Sequence, residues 1–308
     1  MLLTLTASCL RSMLLPAAGA RQAKVSLEDL PQYTFEVLGL SGLNLTTDLL
    51  VGADRGRLEG VRERADKAGC AVLLLIESEP QPFAHGDEAT GKGAVARLSR
   101  VVEAARYLGC SAVAVKAVAP DDEASLLKTA SRMRPAVDRA EKLDINVLVS
   151  PHEGLTSTPE RVAELIKRVG GFRIGTFPDF EVAAKSKDPV AYLRRLCPYA
   201  SAVSASTIRF RQGKAPLEEI NISEAFDHEP YALEQFVGAV ASVGYDGALA
   251  VDYRGVGDMP AGIRLSRQAL LRCLANEGEG EDLDLDELGD FEDEDDEAEA
   301  APPAVDES

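Results

Sequence analysis

MLLTLTASCLRSMLLPAAGA, residues 1–20, admits two readings, and the choice between them decides the fold. A secretory leader places positive charge ahead of its apolar core, whereas the first charge here is Arg11, in the middle of that core. A lipid-anchored Cys9 fails on the same missing basic start. The alternative makes Leu2 to Thr6 a buried strand, the first of a series that runs through the chain.

Outward from that strand, short runs of Leu, Val, Ile and Ala recur at about 2–7, 40–46, 71–77, 111–118, 145–150, 173–178, 201–206 and 247–253. They show little polar alternation, as expected of strands covered on both faces. Amphipathic segments of helical period lie between them. Ser26 and Asp29 form a capping box with Val25 and Leu30 as its staple, and Thr158 precedes a helix with Pro159 at its first position. Pro230 opens another, with Leu233, Phe236, Val237 and Val240 on one face. Gly69, Gly109 and Gly244 stand where helices end and the next strand begins. Eight such units predict a closed (β/α)8 TIM barrel over residues 1–275. A doubly wound open sheet is the competing architecture, but no glycine-rich turn follows the first strand.

The net charge of −18 is local in origin. Residues 277–308 hold 17 of the 51 acids and no Lys or Arg, which leaves 34 acids against 33 bases in the rest. The segment 276–308 is therefore expected to be a disordered acidic tail, too poor in apolar surface to offset its ordering entropy. It is a solubilising segment that offers a contact for a basic protein partner, with Leu283, Leu285, Leu288 and Phe291 as its apolar positions. Five scattered cysteines without a CxxC pair argue against a disulfide framework and for a reducing, cytoplasmic setting. No apolar run reaches the roughly 20 residues of a membrane span, so no membrane partner is expected.

Barrel sites form at the carboxyl ends of strands, and there the sequence resembles a known family. Ser150-Pro-His-Glu-Gly-Leu-Thr-Ser-Thr-Pro-Glu160 resembles the fifth strand and loop of xylose-isomerase-like sugar-phosphate isomerases and epimerases, where the pattern is Glu-Asn-His-Gly-Gly. Gly175-Thr-Phe-Pro-Asp-Phe180 is similar to their sixth-strand Gly-Thr-Cys-Pro-Asp-Phe. Ser201-Ala-Val-Ser-Ala-Ser206 stands where the family has Val-His-Ala-Lys. Gly244-Tyr-Asp-Gly-Ala-Leu-Ala-Val-Asp-Tyr-Arg-Gly255 resembles the eighth-strand Gly-Tyr-Asp-Gly-x-Leu-x-Ile-Glu-Tyr-Glu-Gly. Gly39-Leu-Ser-Gly-Leu-Asn-Leu45 and Ala104-Ala-Arg-Tyr-Leu-Gly109 fit as well.

The resemblance implies one divalent ion held by Glu, Asp, His and Glu from strands five to eight, polarising a sugar carbonyl while the glutamates act as acid and base. Here those positions are Ser150, Asp179, Ser204 and Asp252. Only Asp179 is unchanged. Asp252 keeps its charge but reaches roughly 1.5 Å less far, and a neutral Ser150 takes up no proton at pH 7. The implied cofactor is thus none, or a weakly bound Mg or Mn on Asp179 and Asp252. His152 joins Asp179 and Asp252 as a candidate catalytic group. Ser150, Glu153, Ser204, Lys116, Arg209 and Arg254 are candidate substrate contacts, with Glu77 and Arg211 nearby.

Gly86-Asp-Glu-Ala-Thr-Gly-Lys-Gly93 resembles a phosphate loop but lacks the Ser or Thr after its lysine, and reads as a flexible loop at the barrel mouth. The abasic-site endonucleases of the same fold need many zinc-binding histidines. Three histidines and no basic excess in the barrel exclude a nucleic-acid partner. Two functions remain. One is a pseudoenzyme-like barrel that binds a small sugar or polyol, or a protein partner, with little turnover. The other is an active isomerase, epimerase or lyase on a small sugar (phosphate) with a weakened or rerouted site.

Truncation after Asn276 is expected to leave the melting temperature within about 4 °C of the full chain, equivalent to roughly 1–2 kcal/mol in a domain this large. Scanning calorimetry of the two proteins checks this.

Overall fold

Parallel strands alternate with helices along the computed structural model, which describes residues 1–16, 22–212 and 226–279. The strands are β1 (Leu2–Thr6), β2 (Gly42–Thr46), β3 (Ala71–Ile76), β4 (Ala112–Lys116), β5 (Asn146–Ser150), β6 (Ile174–Thr176) and β7 (Ala202–Thr207). A short pair, β8 (Phe210–Gln212) and β9 (Phe226–His228), precedes β10 (Ala248–Tyr253). The sheet runs β6-β5-β4-β3-β2-β1-β10-β7, so consecutive units are neighbours and the last strands return to the first. The first twenty residues therefore supply a strand. Leu2 to Leu5 pair in parallel with Ala248 to Val251, and Leu5 and Thr6 pair with Leu43 and Asn44.

The remaining seam, between β6 and β7, is joined differently. Two isolated parallel bridges cross it, Thr176–Ala200 and Asp179–Ser204, and the Ser204 N–H donates to the Pro178 carbonyl at 2.8 Å. Glycine is required beside this seam. A Cβ on Gly175 would lie 2.2 Å from the carbonyl oxygen of Tyr199, closer than real atoms approach.

Two cores follow from the period of two along each strand. Outward residues such as Leu3, Leu5, Leu43, Val113, Val147, Val203, Leu249 and Val251 are buried against the helices. Inward residues are small or form one layer: Leu74, Ala112, Ala114, Leu148, Phe177, Ala202 and Ala250 fill the barrel interior. In the same interior Asn44 Nδ2 donates to Thr4 Oγ1 at 2.8 Å.

The helical signals hold with local revisions. Thr158 accepts from the Arg161 N–H ahead of helix Pro159–Val169, and Gly69, Gly109 and Gly244 adopt φ of 66°, 80° and 71° at helix ends. Ser26 Oγ accepts from the Asp29 N–H and donates to its carboxylate, but the helix proper is Leu30–Glu36. The helix expected at Pro230 starts later, as Leu233–Ala241, because the Tyr231 carbonyl and ring are engaged by His228. Residues 88–93 are not a loop: Asp87 caps helix Glu88–Leu108, and Gly91 packs under the Arg132 guanidinium. The hairpin β8–β9 has no sequence signal. The final helix, Met259–Glu279, continues past Asn276, and the acidic segment beyond it lies outside the described residues.

Gly175→Ala should destabilise the barrel by about 1–3 kcal/mol, the usual cost of overpacking against something that cannot yield, here a backbone carbonyl. Urea unfolding of the variant, with an unchanged m-value, measures this.

Candidate functional site

The inward rows that carry small side chains in the barrel interior end at the carboxyl side in polar ones. Thr6, Thr46, Lys116, Ser150, Asp179, Ser204, Asp252 and Arg254 line a cavity of about 370 Å³ there, with Phe177 on one wall. Strand register accounts for part of the layout: Lys116 sits opposite Ser150, and Asp252 opposite Ser206. Asp252 and Arg254 are two residues apart on extended chain and so project to the same side.

The two carboxylates meet, and what they meet on is Arg254. Its Nη2 donates to Asp179 Oδ2 at 2.5 Å and Asp252 Oδ2 at 2.6 Å, and its Nε donates to Asp252 Oδ2 at 2.9 Å. Its Nη1 reaches Asp179 Oδ1 at 3.2 Å and Glu181 Oε2 at 2.7 Å, and Ser204 Oγ lies 3.4 Å from Nη2. Burial works against the guanidinium's charge, but Asp179 and Asp252 outweigh it and raise its pKa above the ordinary arginine value. Lys185, then Arg254, hold the Glu181 carboxyl below its usual range.

Each acid is also tied from behind. Asp179 Oδ1 caps helix Phe180–Ala184 by accepting from the Val182 N–H at 3.0 Å, and it accepts from Ser206 Oγ at 3.2 Å. Asp252 Oδ1 accepts from the buried Cys9 thiol at 3.3 Å, whose pKa is raised by burial and then by Asp252. Among the described residues no group of three or more His, Cys, Asp or Glu is arranged to hold a metal ion.

The other expected residues are placed unevenly. Lys116 is half-buried in the cavity wall, and its ammonium makes no hydrogen bond or ion pair with the described residues. Glu77 also lines the cavity, but its buried carboxylate accepts from Arg97 Nε at 2.6 Å and from Thr47 Oγ1 at 3.1 Å. His152 and Glu153 lie on the loop after β5 and are not among the lining residues. Burial, then Lys116, hold the His152 pKa below the ordinary histidine value. Arg209 and Arg211 are exposed and face Glu229 on the β8–β9 hairpin, away from the cavity.

The model of one protein family matches residues 35–273: the xylose isomerase-like TIM barrel. The chain belongs to that family. No curated protein matches it in sequence. Among solved structures it is similar to an L-ribulose 3-epimerase, with 14% identity and a TM-score of 0.71 over 91% of this chain and 98% of that one. It is also similar to a xylose isomerase-like TIM barrel protein from Mycobacterium smegmatis in complex with magnesium, with 16% identity and a TM-score of 0.64 over 90% and 96% of the two chains. A third is the 3-keto-D-glucoside 4-epimerase of E. coli, with 14% identity and a TM-score of 0.63 over 88% and 99%. At these identities the likeness is one of fold.

Among the lining residues of this xylose isomerase-like barrel that escape a reading of the sequence are Thr6 and Thr46. Both are buried, and their hydroxyls have no hydrogen-bond partner among the described residues. The signal for them is the polar-apolar alternation in Thr4-Leu-Thr6 and Asn44-Leu-Thr46, which marks the inward row once strand direction is known. The hairpin above β7 escapes it too. His228 Nε2 accepts from the Ile208 N–H at 3.0 Å, and its Nδ1 lies 2.9 Å from the Tyr231 carbonyl, to which the neutral ring donates. Tyr231 in turn donates to the Ser206 carbonyl at 2.5 Å, next to Asp179.

Burial lowers the His228 pKa in the folded chain, so the unfolded chain binds the proton more readily. This contribution to stability is whole above the unfolded value, about 6.5, and is lost as pH falls through it toward the folded value. Urea unfolding at pH ~7.5 and ~5.5 should show a smaller drop for His228→Gln than for the unmodified protein.

Proposed function

We propose that this barrel binds a small sugar-like or polyol ligand at its mouth with little turnover, on a site whose metal-holding capacity is reduced. The observation that carries this is the cavity at the barrel mouth, whose wall includes Thr6 and Thr46 beside the half-buried Lys116. Ser150 and Ser204 add two more hydroxyls at the same level, so the mouth offers neutral donors and acceptors of the kind a polyol matches. The volume falls in the ordinary range for small-ligand pockets.

The metal implied by the fold family does not fit this donor set. Two serine hydroxyls are weak neutral ligands, and both carboxylates are already engaged by Arg254, Cys9, Ser206 and the Val182 N–H. Proton transfer also requires a group with a free lone pair or an available proton at the ligand. Ser150 stands where the resemblance expects one glutamate, and Asp252 where it expects the other. The second reading is an active isomerase, epimerase or lyase. It rests on Lys116, a cavity ammonium without a partner among the described residues, which is free to meet a carbonyl or an anionic group.

A panel of pentoses, ketohexoses and polyols should include at least one compound that raises the melting temperature, with the shift growing with concentration. Ser150→Ala should reduce that shift while folding normally. Incubation of the same compound in D2O should leave its C–H positions unexchanged by NMR. Exchange or epimer formation that Lys116→Ala removes would establish the enzymatic reading instead.

A further inference from the structure

We propose that the Arg254 guanidinium is the resident cation of the barrel mouth, and that it holds shut a latent divalent-cation site whose core is Asp179 and Asp252. Both carboxylates are buried and inward-facing, on adjacent sides of one cavity. Left alone they would repel each other and bear the cost of desolvation, which a cation between them offsets. Arg254 supplies that cation. Its three nitrogens contact Asp179, Glu181, Asp252 and Ser204, and no direction of the fork remains unused.

The residue changes are mutually complementary. The eighth-strand pattern this sequence resembles is Glu-Tyr-Glu, and here it is Asp252-Tyr-Arg254. Shortening the first acid withdraws its carboxylate by roughly one carbon–carbon bond, about 1.5 Å. Reversing the charge of the second sends a guanidinium into the space so cleared. Ser204, in place of an imidazole, removes the remaining bulk, and its hydroxyl lies 3.4 Å from Nη2. Three altered positions thus describe one exchange, of a mobile dication for a covalently attached monocation. The Cys9 thiol holds the Asp252 oxygen that Arg254 does not touch, and the Ser206 hydroxyl and Val182 N–H hold Asp179 Oδ1, so their convergence does not depend on Arg254 alone. That support is what should leave a metal-binding pair behind when the guanidinium is removed.

The test titrates Mn²⁺ alone, without any sugar, into the full-length protein, following free Mn²⁺ by electron paramagnetic resonance. Failure here is therefore separable from failure of the ligand-binding proposal. The unmodified chain should show no saturable binding up to ~1 mM, and Arg254→Ala should bind one Mn²⁺ per chain at least about tenfold more tightly. Adding Asp252→Asn to Arg254→Ala should remove the gain, and Arg254→Lys, which keeps a cation, should show none. Arg254→Gln, neutral and of similar reach, is measured alongside in case the alanine variant folds poorly. A variant that folds only when Mn²⁺ is present supports the proposal as directly as a titration does. Stoichiometric Mn²⁺ in the unmodified chain overturns it, and so does the absence of any gain in a folded Arg254→Ala or Arg254→Gln.

Discussion

Leu2–Thr6 is hydrogen-bonded on both sides, to β10 along four residues and to β2 along two, and every other relationship in the molecule presupposes that double pairing. An all-parallel sheet cannot leave edges exposed without inviting other strands. With β1 in place, β10 is an interior strand flanked by β7, and the ends of β10, β7 and the chain after β6 face one space. Without it, Asp252 and Arg254 would sit on an edge strand, tied to Asp179 only through β7 and the bridges across the seam. A cavity of defined polar geometry thus begins with five residues that contribute only Thr6 to its lining.

Within that frame the electrostatics of the mouth are nearly self-contained. Arg11 pairs with Asp48, Arg97 with Glu77, and Arg254 with Asp179, Glu181 and Asp252. The acceptor atoms of these acids are thus already committed to charge-assisted bonds. Lys116 differs, since its ammonium has no such partner among the described residues. A ligand entering this cavity would therefore meet hydroxyls and one amine, with the carboxylates as structure.

Much of this is legible in the amino-acid sequence. Eight buried runs, glycines at helix ends and the Thr158–Pro159 start signal locate the strands and several helices, because those features depend on local backbone chemistry. The strand-end positions Ser150, Asp179, Ser204 and Asp252 follow from likeness to a motif, and all four do face one cavity. What the sequence does not carry is the direction of long side chains. It offers Arg254 and Arg209 alike to a ligand, and nothing in one dimension distinguishes a guanidinium turned inward onto two acids from one paired with Glu229 in solvent. The β8–β9 hairpin is invisible for a related reason: three-residue strands carry almost no periodic signal, and their pairing is secured by His228 reaching the Ile208 N–H.

The seam between β6 and β7 gives Asp179 two occupations at once. Its backbone supplies one of the two bridges that cross the seam, and its side chain caps a helix and grips Arg254. Ser150 and Asp252 lie instead in unbroken ladders, paired to Lys116 and Ser206. Mutagenesis of the mouth is accordingly unequal in what it can teach. Altering Ser150 interrogates recognition on an intact scaffold. Altering Asp179 changes the scaffold and the recognition together, and no single measurement on such a variant apportions the effect between them.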